Sequence, residues 1–239
     1  MRLSLLLLLA VIAACAPRQE AATPVILVPG GKVVGAWVEL AGDAYPLPGP
    51  PLFADAAGDL LYLAYPYELV TMRGGEVEKT YPLPGYPRFL HARPEPVVGT
   101  ERGVYLPEED LLLSYPARDA RRRAGELFWT DGDAWREGER LRRGDFRQVS
   151  ASERGVAFTD DLAYFPHGGE FPLPPHKKAE LGRYLYLLTE EGVLALDEAG
   201  SVVAEKRGRF LDLVAEEERV WLLGEDGEVI ALGAWLEAL

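Results

Sequence analysis

Asparagine is absent from the 239-residue chain, and glutamine occurs only at Gln19 and Gln148. Heat-labile amides are depleted in heat-adapted proteins while charged residues are enriched, so a thermophilic source is expected. The lack of asparagine also excludes N-glycosylation. Cysteine occurs once, at Cys15, which rules out an intrachain disulfide and a thiolate metal cluster. Histidine occurs three times, at His91, His167 and His176, and no two have the spacing of a His-x3–5-His metal pair. Positive charge is in deficit: 25 Lys and Arg face 38 Asp and Glu, giving −13. Such a chain does not seek nucleic acid or anionic headgroups through its net field. Long helical patterns are missing too. What remains, 48% hydrophobic and 26% charged, is the composition of a folded chain and not of a disordered one.

The one long apolar run is at the N-terminus. Arg2 is followed by Leu3 to Ala14, interrupted only by Ser4, and the run ends in Ile12-Ala13-Ala14-Cys15. About a dozen apolar residues fall short of the ~20 needed to span a bilayer. The segment resembles the lipobox of bacterial lipoproteins, in which an aliphatic residue and two small ones precede an invariant cysteine. The resemblance implies a signal peptide over 1–14, a diacylglyceryl group on the sulfur of Cys15, cleavage after Ala14, and a short tether over 15–23 ahead of a folded domain at 24–239. Two or three acyl chains hold a protein to a membrane where one would not. The expected location is the cell envelope, at the outer face of the cytoplasmic membrane or at the outer membrane. Ala16, in place of Asp, favours the latter where the source has one.

The rest of the chain is repetitive. Tyr45-Pro46-Leu47-Pro48-Gly49 recurs 36 residues on as Tyr81-Pro82-Leu83-Pro84-Gly85, and again as Phe171-Pro172-Leu173-Pro174-Pro175. Each copy follows a turn rich in Gly. Proline cannot donate to a sheet ladder, so these segments are expected at sheet edges. Arg183 to Leu196 and Arg219 to Leu232 both read as strand, acidic-Gly turn, strand. Phe146-Arg-Gln-Val and Phe210-Leu-Asp-Leu, 64 residues apart, precede such hairpins, as does Phe89-Leu90. Hairpin turns near Gly30, Pro66, Glu108, Gly132, Asp160, Glu191 and Asp226 make seven units. Residues 117–124 alone read as a single helical turn.

Short strands at this spacing imply small sheets that stack because none can bury its own faces. Gly192-Val-Leu-Ala-Leu-Asp197-Glu-Ala-Gly200-Ser-Val-Val resembles a repeat of the pyrroloquinoline-quinone-like and similar bacterial β-propellers. The fold class implied is all-β: a single propeller of six or seven compact blades, with seven favoured. Residues 234–239 are expected to form an outer strand of the last blade, and a strand from around 23–28 to close the ring by pairing with that blade.

No reaction is legible. A Gly-x-Ser-x-Gly elbow is lacking. Asp131-Gly132-Asp133 and Asp160-Asp161 suit hairpin tips better than calcium ligation. His167 and His176 read as surface turn residues, and His91, after Phe89-Leu90, is the best candidate for the channel. No catalytic, cofactor or metal residues are assigned. One charged segment stands apart. Nine arginines lie among seven acids between Arg118 and Arg147, and Arg121, Arg122, Arg123, Arg140, Arg142 and Arg143 are candidates for a face that meets a protein partner; a salt-bridged surface is the plainer alternative. The expectation is a non-enzymatic binding or scaffold propeller in the envelope, similar in kind to the propeller lipoprotein of the outer-membrane barrel-assembly machinery, whose signature it lacks. The alternatives are a small-ligand receptor or enzyme using the propeller channel, and a purely structural envelope lipoprotein.

Overall fold

A computed structural model describes residues 23–232. The expected signal peptide, Cys15 and the expected outer strand over 234–239 lie outside these residues. Seven antiparallel sheets follow one another in sequence order. Blade 1 holds β1 (Val25–Val28), β2 (Gly31–Val34), β3 (Trp37–Leu40) and β4 (Asp43–Pro46). Blade 2 holds β5 (Phe53–Ala57), β6 (Leu60–Tyr65), β7 (Glu68–Arg73) and β8 (Glu76–Pro82). Blade 3 holds β9 (Pro87–His91), β10 (Val97–Thr100), β11 (Gly103–Leu106) and β12 (Leu111–Leu113). Blade 4 comprises β13 (Asp119–Arg123), β14 (Glu126–Thr130), β15 (Ala134–Arg136) and β16 (Glu139–Arg142). Blade 5 comprises β17 (Gln148–Ser152), β18 (Gly155–Thr159), β19 (Leu162–Phe165) and β20 (Gly169–Pro172). Blade 6 has β21 (Lys178–Leu181), β22 (Leu185–Leu188), β23 (Gly192–Leu196) and β24 (Val202–Arg207). Blade 7 has β25 (Phe210–Glu216), β26 (Arg219–Gly224) and β27 (Val229–Ala231) among the described residues. This is a seven-bladed β-propeller.

Strand alternation explains the stacking. Leu61 and Leu63 of β6 pack with Val33 and Val38 of blade 1, while Tyr62 and Ala64 of the same strand pack with Leu90 and Val98 of blade 3. Each blade thus gives one face to each neighbour, and seven apolar clusters fill the seven inter-blade interfaces. Among the described residues, the interface between blades 7 and 1 buries the fewest side chains, namely Leu27, Val214, Trp221 and Leu223.

The Tyr/Phe-Pro segments end β4, β8 and β20, each the outermost strand of its sheet, where a missing N–H leaves no neighbour unpaired. The Phe signatures lead into or lie in β9, β17 and β25, all innermost strands. The seven expected turns fall one to a blade, although Gly30 lies in a first hairpin and Glu108 in a third.

Two expectations are overturned. Residues 117–124 are not helical: Asp119–Arg123 is the innermost strand of blade 4, paired with β14 from Asp119↔Thr130 to Arg123↔Glu126. The ring also does not close by handing the N-terminal strand to the last blade. Pro29-Gly30 turns β1 straight back onto β2, with Gly30 at φ +80° and Val25 paired to Val34. Closure rests on packing against blade 7 and on the Lys32 ammonium donating to the Gly227 carbonyl at 2.9 Å.

Gly192 opens β23 at φ +152°, and a Cβ there would lie 2.1 Å from the Lys206 carbonyl oxygen of β24. Both the backbone conformation and the close approach require glycine. Gly192→Ala is expected to lower stability by at least about 1–3 kcal/mol in chemical denaturation; an unchanged midpoint would contradict this strand separation.

Candidate functional site

Innermost strands run from the face carrying the inter-blade linkers and second hairpins, called here the entry face, to the exit face carrying first and third hairpins. Near the entry face, six consecutive blades each place one polar residue at the channel: Asp55, His91, Asp119, Gln148, Lys178 and Asp212. Each is followed by a small or aliphatic residue buried at an inter-blade interface, namely Ala56, Ala92, Ala120, Val149, Ala179 and Leu213.

These six side chains join the blades. Asp55 Oδ2 accepts from the Ala92 N–H at 2.8 Å, linking blade 2 to blade 3. His91 Nε2 lies 2.7 Å from Asp119 Oδ1, linking blades 3 and 4. Asp119 Oδ2 accepts from the Val149 N–H at 2.8 Å, and Gln148 Oε1 from the Ala179 N–H at 2.8 Å. The Lys178 ammonium donates to Asp212 Oδ1 at 2.9 Å. The polar seam therefore runs unbroken from blade 2 to blade 7. Blade 1 presents Ile26 and Leu27 instead.

Two residues deeper lie Arg93, Arg121, Ser150 and Glu180. Arg93 spans the channel, donating to Asp55 Oδ1 at 3.2 Å and to the Ala215 carbonyl at 2.7 Å. Arg121 and Glu180 are both buried. The Arg121 guanidinium stands 3.6 Å from Asp119 and 3.7 Å from Glu180, near enough for attraction but outside hydrogen-bonding distance. A cavity of about 170 Å³ lies among these groups.

Burial works to raise the carboxyl pKa of Asp55 and Asp119. For Asp55, Arg93, the Ala92 N–H, His91 and the Ala56 N–H outweigh it; for Asp119, His91, Arg121 and the Val149 N–H do. Both carboxyls are held below the ordinary carboxylate range. Burial first, then the Arg121 charge, pushes the His91 imidazole down despite Asp119. At neutral pH the pair is therefore an ionised Asp119 accepting from the Nε2–H of a neutral His91, whose ring stacks on Phe89 at 5.4 Å. Lys178 stays charged, since Glu180 and Asp212 overcome its burial.

The sequence-predicted residues separate. His91 reaches the channel as expected. His167 is an exposed turn residue, His176 is half-buried in the linker before β21 with its Nδ1 3.0 Å from the Pro174 carbonyl oxygen, and Asp131 caps its own hairpin by accepting from the Asp133 N–H and the Trp135 indole. The six arginines do not share one surface. Arg121 is inside the channel. Arg122 pairs with Glu95 and Glu109, and Arg123 donates to the Ser152 and Glu153 carbonyls of blade 5. Arg140 and Arg142, on the outermost strand of blade 4, pair with Asp133 and Glu170, and Arg143 follows them, exposed.

Sequence reasoning missed Asp55, Arg93, Asp119, Lys178, Glu180 and Asp212 as channel residues. A signal was present: Asp-Ala, His-Ala, Asp-Ala and Lys-Ala dipeptides at 55, 91, 119 and 178 recur at roughly the blade period. A second recess, of about 500 Å³, opens on the exit face between blades 4, 5 and 6, where Arg123, Arg154 and Arg183 surround Phe128, Phe165 and Tyr184.

No known protein family matches the chain, and no curated protein matches it. Solved structures do. BamB from Moraxella catarrhalis aligns at 14% identity and TM-score 0.52, over 84% of this chain and 81% of that one. PorZ, a surface component of the type-IX secretion system of Porphyromonas gingivalis, aligns at 12% identity and TM-score 0.60 over 87% of this chain, but this accounts for only 36% of PorZ. A streptogramin B lyase aligns at 10% identity and TM-score 0.51, over 74% and 80%. At these identities the likeness is one of fold.

Two outcomes are expected. Asp119→Ala strands the Val149 N–H and leaves Glu180 as the one carboxylate beside Arg121, and should cost about 3–5 kcal/mol in chemical denaturation. The folded protein also resists protonation more than the unfolded chain. His91 titrates below 6.5 and the two aspartates below 3.8. Stability is thus complete above the ordinary histidine value, falls as pH drops below it, and falls again below the ordinary carboxylate value. His91→Gln keeps a donor for Asp119 and should remove the first loss between about pH 7 and about pH 5; an unchanged loss would show that His91 is not held neutral.

Proposed function

We propose that the chain is a lipid-anchored cell-envelope protein whose propeller serves as a non-enzymatic binding or scaffold module. The observation that carries this reading is the satisfied seam. The acids, the histidine and the lysine that could do chemistry at the channel mouth are each engaged with a neighbouring blade, so their work is mechanical. Recognition is then left to the two broad faces. The lipobox-like Ile12-Ala13-Ala14-Cys15 supplies the anchor in this reading, and the partners are the membrane itself and an envelope protein.

The fold alone does not separate binder from enzyme, since its structural neighbours include both a secretion-system surface component and a lyase. A second reading, a small-ligand site in the channel, is favoured by one observation: Arg121 Nη1 and Arg93 Nε are buried beside the 170 Å³ cavity with no hydrogen-bond acceptor. Water fills such a space as well as a ligand does. Titration calorimetry with small carboxylates and phosphates distinguishes the two, and saturable binding lost in Arg121→Gln would favour the second reading.

The anchor has its own test. Mass spectrometry of the membrane-extracted protein is expected to show a mature chain beginning at a diacylglyceryl-modified Cys15, and Cys15→Ser should release it from the membrane fraction. An unmodified Cys15 would end the lipoprotein reading.

A further inference from the structure

The entry face is chemically uneven. Nine large hydrophobic residues are exposed among the described residues, and five of them lie on this face: Trp37, Leu52, Tyr67, Tyr86 and Leu211. Trp37 opens β3 after the second hairpin of blade 1. Leu52 ends the linker from blade 1 to blade 2, Tyr67 sits in the second hairpin of blade 2, Tyr86 ends the next linker, and Leu211 is near the start of β25. They belong to blades 7, 1, 2 and 3, which are consecutive around the ring and centred on blades 1 and 2. Trp37 and Tyr67 are more than half exposed, at 56% and 58%, and the Tyr67 and Tyr86 rings meet edge to face at 6.1 Å.

The backbone between these residues is apolar as well. Residues 44–54 and 81–87, which carry two of the Pro-Leu-Pro repeats, contain no charged side chain. The other arc of the same face differs. Its second hairpins carry Asp131, Asp133, Asp160, Asp161, Glu190 and Glu191, of which Asp133, Asp160 and Glu190 pair with Arg140, Arg147 and Lys177. The half that carries Trp37 and Tyr67 has charge at Glu68, at Glu101 and Arg102 in the blade 3 hairpin and at Glu225, Asp226 and Glu228 in the blade 7 hairpin, around an aromatic and apolar cluster on blades 1 and 2.

The chain enters the fold on the apolar half. The Gly35 N–H, in the turn just before Trp37, donates to the Pro24 carbonyl at 3.4 Å. Thr23 and Pro24 are thus fixed beside the β2–β3 turn on the entry face. Because β1 is the innermost strand of its own sheet, its start points out of the entry face. Cys15 is eight residues before Thr23, and eight residues span at most about 28 Å. A lipid on Cys15 cannot lie farther than that from the Trp37 turn.

We infer that this apolar half, Trp37, Leu52, Tyr67, Tyr86 and Leu211, rests on the surface of the bilayer that holds the acyl chains. The inference rests on the lipoprotein reading of Cys15. Trp and Tyr favour the membrane interface because one end of the ring system is apolar and the other is wet. The contact works without net positive charge, which this protein lacks, and the salt-bridged opposite arc stays in water. The exit face, with its 500 Å³ recess, then points outward from the membrane and is the face open to a partner.

The test uses the chemistry of the anchor. Once the Cys15 sulfur carries lipid, any introduced cysteine is the only free thiol. Trp37→Cys, Leu52→Cys and Tyr67→Cys, with Leu111→Cys and Val202→Cys as exit-side controls, are labelled with an environment-sensitive fluorophore in the full lipoprotein and reconstituted in phosphatidylcholine vesicles. Blue-shifted emission and quenching by brominated lipid are expected at the first three and not at the controls, with each variant melting like the parent. Vesicle-bound protein with aqueous emission at all five positions would overturn the inference while leaving the anchor intact. Shielding that appears only when envelope proteins are added would assign the patch to a protein partner and overturn it too. Failure to co-float with vesicles, with an unmodified Cys15, would remove the anchor and the inference together.

Discussion

From blade 2 to blade 7 each innermost strand is joined to the next through a side chain, and the ring depends on that reach. Apolar packing between blades is strong but has little direction. Seven clusters of Leu, Val and Ala could stack at several offsets. A carboxylate accepting one particular N–H of the next blade could not. Asp119 shows the principle: its two oxygens collect His91 from blade 3, the Ala120 N–H of its own strand and the Val149 N–H of blade 5. Burying that charge would be costly alone. Surrounded by donors, it fixes the register of three blades at once.

The seam stops at blade 1, where Ile26 and Leu27 face the channel and, among the described residues, the interface with blade 7 has the smallest core. This is also where the chain enters, on a face whose near half carries Trp37, Leu52, Tyr67 and Tyr86. A membrane contact at this place would support the arc of the ring that its own chemistry joins least. The exit face owes nothing to that contact, and its Arg123, Arg154 and Arg183 lie at successive blades around an aromatic recess.

Much of this was legible in the residues. Proline at Pro46, Pro82 and Pro172 marked outer edges because a missing donor is tolerated only there. Phe89, Phe146 and Phe210 marked the segments that precede hairpins, and Phe89-Leu90 placed His91 at the channel. Residues 117–124 misled because Ala117, Ala120 and Ala124 among arginines resemble a solvated helical turn. Their strand periodicity was hidden, since Asp119 and Arg121 find partners inside the channel where an apolar residue would ordinarily be read. The fold divides the arginine segment: Arg121 and Arg140 lie on opposite edges of one sheet. The closure of the ring was misread because a terminal strand can pair locally or distantly with equal sequence, and only the Pro29-Gly30 turn decides.

The central claim is that polar side chains of one blade hold the backbone of the next. Native-state hydrogen exchange reads those bonds directly at the Ala92, Val149, Ala179 and Leu181 amides, which donate to Asp55, Asp119, Gln148 and Ser150. The account predicts that these four exchange only through global unfolding, as slowly as the central-strand amides. Exchange at the rate of the exposed hairpin turns would contradict it, and would mean that the blades are held by apolar packing alone.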